Sequence, residues 1–254
     1  MYVTVLGNIL MQYNNEAVKN YDKFYSSKDY GLEVDFIEKI THGFTGKSII
    51  DIGCGTGTHS ILMSTRGASF VKGIDISDQM IKAATYKSNE LSNINFENID
   101  IESMTAGQYD IAVSLFNVVN HISDIGKLIS FMSSINRNMA TGGHFIFDSW
   151  NGVAAIKDSP KVEKKEYEDS GVKIYVECNP TVDLMESSVV LNTTVKKLDQ
   201  EYSYSLEHYL WTPKVVSDVL KLSGFKLLKI CKGFNLDLSA CEDDYKITYI
   251  CIAE

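Results

Sequence analysis

Residues 48 to 57, Ser-Ile-Ile-Asp-Ile-Gly-Cys-Gly-Thr-Gly, constrain the fold more than any other stretch: an apolar run ending in Asp51, then glycines at 53, 55 and 57. A short β-branched run reads as a buried parallel strand. The glycines behind it let the backbone turn tightly and approach a ligand closely. A nucleotide-like cofactor is expected at this loop.

From residue 46 the chain alternates strand and helix, the pattern of a parallel sheet covered on both faces. The spacing predicts strands over Ser48 to Ile52, Phe70 to Ile76, Ile94 to Ile99, Tyr109 to Phe116 and His144 to Phe147. Helices are expected from Thr58 to about Arg66, from a Ser77 cap through Leu91, and from about Ser123 to Met139, with Asn117 to His121 as a loop. The alternation breaks after Trp150. Extended segments at Lys173 to Cys178, Ser187 to Lys196 and Tyr202 to Tyr209 suggest an inserted antiparallel β layer. Thr212-Pro213 starts a helix that Gly224 ends, and Lys226 to Cys231 and Lys246 to Ile252 complete the sheet. The class is α/β, in one domain over 1–254: an N-terminal lid and helix to 45, a cofactor-binding core over 46–150, the inserted layer over 153–210, and a C-terminal helix with the last two strands over 211–254.

Composition narrows the partners. At 44% apolar residues, 254 residues bury a sizeable core. A formal charge of -9 repels phosphate backbones, so nucleic acid is not an expected partner. Five cysteines, at 54, 178, 231, 241 and 251, form no Cys-x-x-Cys pair and suggest neither a zinc site nor a disulfide framework. Reduced thiols in a cytoplasm are the expectation. Tyr2 to Met11 are apolar but short for a signal peptide, and no stretch approaches the roughly 20 apolar residues of a membrane span, so this segment is expected as a strand or helix packed on the body. Tyr21, Phe24 and Tyr25 precede an amphipathic helix carrying Leu32, Phe36, Ile37 and Ile40, and stand either as a lid or as core packing.

In an open α/β sheet the ligand lies beyond the carboxyl ends of the strands. Those ends here carry Asp51, Asp75, Asp100 and Asn117. Asp75, 18 residues after Gly57, stands where a carboxylate can accept both hydroxyl hydrogens of a ribose. The glycines match the dinucleotide pattern Gly-x-Gly-x-x-Gly imperfectly, and no Gly-Lys-Ser/Thr follows for a P-loop. A negative Asp51 fits poorly beside a pyrophosphate and suits a cofactor bearing an amine and a sulfonium. An oxidoreductase on a Rossmann sheet and a non-catalytic cofactor-binding module are the competing readings.

At these residues the chain resembles class I S-adenosylmethionine-dependent methyltransferases. Asp51-Ile-Gly-Cys-Gly-Thr-Gly57 looks like their first motif, Gly73-Ile-Asp-Ile-Ser77 their second and Tyr109-Asp-Ile-Ala-Val-Ser-Leu115 their fourth-strand motif. The resemblance implies a Rossmann-like seven-stranded sheet with the last strand antiparallel. It also implies S-adenosylmethionine as cofactor and S-adenosylhomocysteine as product. The methionine end would lie near Gly53 and Gly55, the ribose on Asp75, and the adenine near Ile76, Asp100 and Ile101. With Asp51, Cys54, Gly57, Met80, Leu115 and Asn117 these residues form the expected cofactor-binding set. A narrower resemblance runs through Tyr21-Asp-Lys-Phe-Tyr25, Lys28-Asp-Tyr30, Phe116-Asn-Val-Val-Asn-His121 and Leu210-Trp-Thr212. These look like the N,N-dimethyltransferases of nucleotide-linked amino sugars and related surface-polysaccharide sugar methyltransferases. The chain departs from them at Trp150-Asn-Gly152. The narrower resemblance implies a small-molecule acceptor, a nucleotide-linked amino sugar leading, with a homodimer among the open assemblies.

Methyl transfer needs alignment of a nucleophile, exclusion of water and removal of one proton. Alignment alone is worth roughly 7 to 11 kcal/mol. His121, just after the fourth strand, is the expected base because imidazole titrates near neutral pH, the alternative being a bond to the helix start at Ser123. Tyr21 is expected to close over the sulfonium through its ring face. Tyr25, Tyr30, Asn120, Trp150 and His208 are the expected acceptor contacts. No nucleophile elbow and no metal-ligand spacing is present.

Overall fold

The computed structural model describes residues 15–169 and 171–254. The expectation for Tyr2 to Met11 therefore lies outside the described residues. Two helices come first, α1 (Asn15–Phe24) and α2 (Tyr30–Thr41), the second capped by Asp29, whose carboxylate accepts the Leu32 N–H at 2.8 Å. The core then alternates as β1 (Ser48–Ile52), α3 (Thr58–Thr65), β2 (Phe70–Asp75), α4 (Asp78–Lys87), β3 (Ile94–Asn98), β4 (Tyr109–Ser114), α5 (Ile125–Arg137) and β5 (Met139–Trp150). After a short α6 (Gly152–Lys157), strands β6 (Glu163–Asp169), β7 (Val172–Asp183), β8 (Ser188–Lys197) and β9 (Gln200–Tyr209) form a separate antiparallel sheet in that order. The chain closes with α7 (Pro213–Leu222), β10 (Phe225–Lys232) and β11 (Lys246–Ala253).

The main sheet has the order β10-β11-β5-β4-β1-β2-β3. β1 through β5 run parallel, and β11 lies antiparallel against β5, as the resemblance implies. The chain moves outward from β1 to β3 and returns on the other side of β1 with β4. This reversal opens a crevice at the carboxyl ends of β1 and β4, where a ligand is accommodated. One face packs Phe145, Phe147 and Tyr249 in a stack (4.8 and 4.6 Å between centroids) against Leu128, Met132, Val216 and Val219 of α5 and α7. The other buries Val34, Phe36, Ile37 and Met63 of α2 and α3 on Ile49, Ile111 and Val113. Each fully buried aliphatic side chain of this kind contributes about 1.5–3 kcal/mol.

Several boundaries differ from expectation. α4 starts at its Ser77 cap but stops at Lys87, before the polar Ser-Asn-Glu that follows. β5 runs from Met139 to Trp150, because pairing with β11 from His144 to Trp150 extends the ladder beyond its hydrophobic centre. Residues 118–121 form a turn of 3₁₀ helix, Val118–His121, where a loop is expected. β6 adds a strand where none is expected: Glu-Lys-Lys-Glu-Tyr-Glu-Asp is nearly all charge, the composition of an exposed edge strand. Among the described residues no helix is long and apolar enough to cross a membrane.

Candidate active site

β1 delivers the chain into the glycine loop, which is tied to the neighbouring strand by Gly53 and Cys54 N–H groups donated to the Ile74 carbonyl (2.8 and 3.0 Å). The three glycines do different work. A Cβ at Gly53 would lie 2.6 Å from Val118, and one at Gly57 2.6 Å from Phe96, so both allow close packing. Gly55 has φ +54° with nothing within 4 Å of its missing Cβ, and its bare backbone lines the crevice. Its N–H donates to Asp75 Oδ2 at 2.9 Å, while Asp75 Oδ1 accepts the Ser77 N–H at 2.8 Å. Burial pushes the Asp75 carboxyl up, and these two donors pull against it. Each oxygen keeps a lone pair for a further donor.

The crevice is a cavity of about 330 Å³ reaching from this loop to the fourth strand and α5. Ile76, Met80, Ile101 and Phe131 supply apolar walls, and Asp75 and Asp100 supply acceptors. Tyr21 of α1 borders it from above the loop, its ring 4.8 Å from Tyr25 and 6.3 Å from Phe116. At the far end His121 hands its Nδ1 to the Glu207 carbonyl at 2.9 Å. A carbonyl only accepts, so this nitrogen carries the proton and Nε2 is left as the basic atom. Burial lowers the pKa of the ring, against the Glu207 bond, and holds it neutral.

Between these groups the backbone turns sharply. Phe116 and Asn117 have φ +71° and +62°, a conformation non-glycine residues rarely adopt and one that functional sites retain when their surroundings enforce it. A closed circuit enforces it here. Asp148, fully buried, accepts the Asn117 N–H (3.1 Å) and pairs with Lys246 (3.1 Å), which also reaches Glu33 (3.1 Å). Glu33 binds His59 (2.7 Å) and Lys28, and the Lys28 ammonium lies 4.7 Å above the Phe116 ring. Burial alone would raise Glu33, but the His59 bond, Lys246 and Lys28 bring it down to about 2.

The sequence profile of the methyltransferase-domain family matches residues 44–207, well over half of the chain. The chain belongs to that family. That family is one of methyltransferases, which sets the oxidoreductase reading aside. The ubiquinone biosynthesis O-methyltransferase of Nitrosomonas europaea is 33% identical over 124 residues, covering 47% of this chain and 51% of that protein. The chain thus aligns with about half the length of the curated relatives it matches. Among solved structures, an S-adenosylmethionine-dependent methyltransferase of Clostridium acetobutylicum superposes with a TM-score of 0.78 at 20% identity, over 94% of this chain and 98% of that one. An amino pentose methyltransferase of Micromonospora echinaspora, solved with S-adenosylmethionine bound, does so with 0.70 at 14%, over 98% of each.

The methyltransferase cavity takes in ten of the residues expected from sequence: Tyr21, Gly53, Gly55, Asp75, Ile76, Met80, Asp100, Ile101, Leu115 and His121. Others stand elsewhere. Asp51 is 1% exposed, outside the lining, and accepts the Ser60 hydroxyl at 2.5 Å. Cys54 tucks its thiol beneath Gly73, and Gly57 packs on Phe96. Asn117 contributes its backbone to Asp148, not its side chain to the cavity. Tyr25 supports Tyr21 and Phe116 from behind, and Tyr30 meets His59 edge-on at 4.9 Å. Asn120 is fully buried as a clamp, donating to the Tyr209 carbonyl (2.8 Å) and accepting the Trp150 N–H (2.9 Å). Trp150 and His208 stack on each other and lie outside the lining. His121 bonds β9, not Ser123. Sequence reasoning missed Phe131 and Lys127 on α5, and Leu206 on β9. The apolar period of α5 was a usable signal for Phe131, whereas Leu206 needs the register of the second sheet.

Proposed function

We propose that this chain transfers a methyl group from S-adenosylmethionine to a small polar acceptor, the amine of a nucleotide-linked amino sugar first among them. The observation that carries the reading is the pairing, in one cavity, of the Gly55–Asp75 cradle with a buried, neutral His121 whose Nδ1 is occupied. The residues present fit the cofactor. Asp75 retains acceptor capacity for two hydroxyls, Gly55 leaves room beside the loop, and Ile76, Met80, Ile101 and Phe131 offer a flat apolar slot for a base with Asp100 at its rim. Bound there, S-adenosylmethionine supplies a methyl already activated by a sulfonium.

The chain's own residues then have three tasks. Tyr21, Phe116 and Leu206 exclude water from the acceptor end. The lid reading of Tyr21 draws support from its place at the border of the cavity, where its ring packs on Tyr25. His121 Nε2 takes the proton that the methylated amine gives up after the transfer. The amino-sugar acceptor draws support from the amino pentose methyltransferase whose fold matches nearly end to end. Methylation of a hydroxyl is the second reading, favoured by the sequence relationship to an O-methyltransferase, and it would need His121 to act before or during attack.

Calorimetry with S-adenosylmethionine and with NAD tests the cofactor, and saturable NAD binding without binding of the methyl donor overturns the reading. Mass spectrometry of reactions with nucleotide amino sugars and with hydroxylated aromatics separates the acceptors. A gain of one or two methyls on the amine supports the first class, and methylation confined to hydroxyls supports the second.

A further inference from the structure

A second imidazole stands directly behind His121. His208, 5% exposed, stacks on Trp150 with centroids 4.6 Å and planes 17° apart, and its other neighbour is the His121 ring at 4.6 Å and 53°. Trp150 is itself held, its backbone N–H donating to Asn120 Oδ1 (2.9 Å) and its ring making an edge contact with Tyr245 at 5.1 Å. The three rings make a file of which only His121 reaches the cavity. β9 supplies both restraints on that last ring, the Glu207 carbonyl and, in the next position, the side chain of His208. The Nδ1 of His208 is buried without a hydrogen-bond partner among the described residues.

We propose that His208 is a positioning residue that wedges the His121 ring against the Glu207 carbonyl and so fixes the tautomer in which Nε2 is the basic atom. The proposal rests on the reading of His121 as proton acceptor. The His121–Glu207 bond forms only with Nδ1 protonated, and it persists only while the ring is kept from turning away. The flat His208 ring fills the volume into which His121 would turn and keeps water out of it. A histidine serves because it stays neutral: burial first, and the neighbouring His121 second, bring His208 down to about 3. It does not compete for the proton that His121 receives, and its ring face then meets the imidazolium attractively. The remaining groups around His121 leave this picture intact. The Glu207 carboxylate accepts the Tyr209 hydroxyl (2.8 Å), Lys127 of the cavity wall pairs with Asp124 (3.3 Å), and Tyr21 faces the same cavity from α1.

The test needs no acceptor. Long-range ¹H–¹⁵N spectra of the full chain labelled at its five histidines report the tautomer and titration of each ring, with His121→Asn assigning the signals. In the unaltered protein Nε2 of His121 should show an unprotonated nitrogen and titrate below the ordinary 6.5. In His208→Ala the tautomers should mix and the midpoint rise by about half a unit or more. His208→Phe should keep the original pattern. His208→Leu, which fills volume without a flat ring, carries the same comparison if the alanine variant does not fold. An unaltered His121 spectrum in His208→Ala and His208→Leu overturns the proposal, as does an Nε2–H tautomer in the parent protein. S-adenosylmethionine affinity, measured by calorimetry on the same samples, should stay within about twofold of the parent because His208 lies outside the lining. Absence of that binding in the parent would overturn the methyl-transfer reading while leaving the tautomer result standing, so the two failures are distinguishable.

Discussion

Asp75 holds the glycine loop and faces the cavity at once. Its two oxygens accept the Gly55 and Ser77 N–H groups, and its remaining lone pairs are aligned for hydroxyl donors. Hydrogen bonds to a charged group are worth about 1.5–3 kcal/mol, so Asp75→Ala should weaken S-adenosylmethionine binding by about 10- to 100-fold. Calorimetry reads this directly, and an unchanged Kd would remove Asp75 from the cofactor site. His121→Ala is predicted to show the opposite division: turnover of an identified acceptor at least about tenfold lower, with cofactor affinity nearly unchanged. Equal loss in both would instead make His121 a packing residue.

Between elements, packing sets the loop and charge sets the corner. A Cβ on Gly73 would come 2.4 Å from the Phe96 ring, the same ring that Gly57 leans on, so β3 limits what β2 and the loop can carry. Gly73→Ala should destabilise the fold by about 1–3 kcal/mol through overpacking. Adding Phe96→Leu should recover much of that, giving a non-additive cycle in urea denaturation; additive losses would mean that the clash is relieved elsewhere. The circuit through Lys28, Glu33, Lys246 and Asp148 ties α2 and β11 to the Phe116–Asn117 corner. Lys246→Met leaves a buried carboxylate unpaired and should cost about 3–5 kcal/mol, whereas Lys246→Met with Asp148→Asn should cost less than the single change.

The whole molecule responds to acid through its buried groups. His208 takes a proton at about 3 when folded and near 6.5 when unfolded, so the stability that its neutral form contributes is full above 6.5 and falls between 6.5 and 3. Between pH 7 and 5 this one group accounts for about 2 kcal/mol. Glu33, held to about 2 against an ordinary 4.5, loses its contribution later, as pH drops from 4.5 through 2. Asp51 and Asp75, pushed up by burial, act with the opposite sign. Urea denaturation of the parent and of His208→Phe at pH 7 and pH 5 isolates the first effect. The variant should lose about 2 kcal/mol less than the parent over that interval, and identical losses would refute it.

What the amino-acid order determined alone lies close together in the chain. The β1 run, the glycine loop, Asp75 at the end of β2, and the Ser77 and Thr212 caps are all encoded within a few residues, because strand pattern, turn conformation and capping are short-range physics. Their sum specified a parallel sheet with a cofactor crevice at its switch point. Only the tertiary structure decided that Asp51 accepts the Ser60 hydroxyl, that Asn120 clamps β9 to β5, and that β6 pairs at an edge. It also decided that β9, some 85 residues beyond His121, supplies the carbonyl and the ring that govern that imidazole. The side a strand residue presents depends on register, and register between distant strands is set by the global packing of apolar faces. His121 and His208 are the same residue type, and burial and neighbours place one at the cavity and the other behind it.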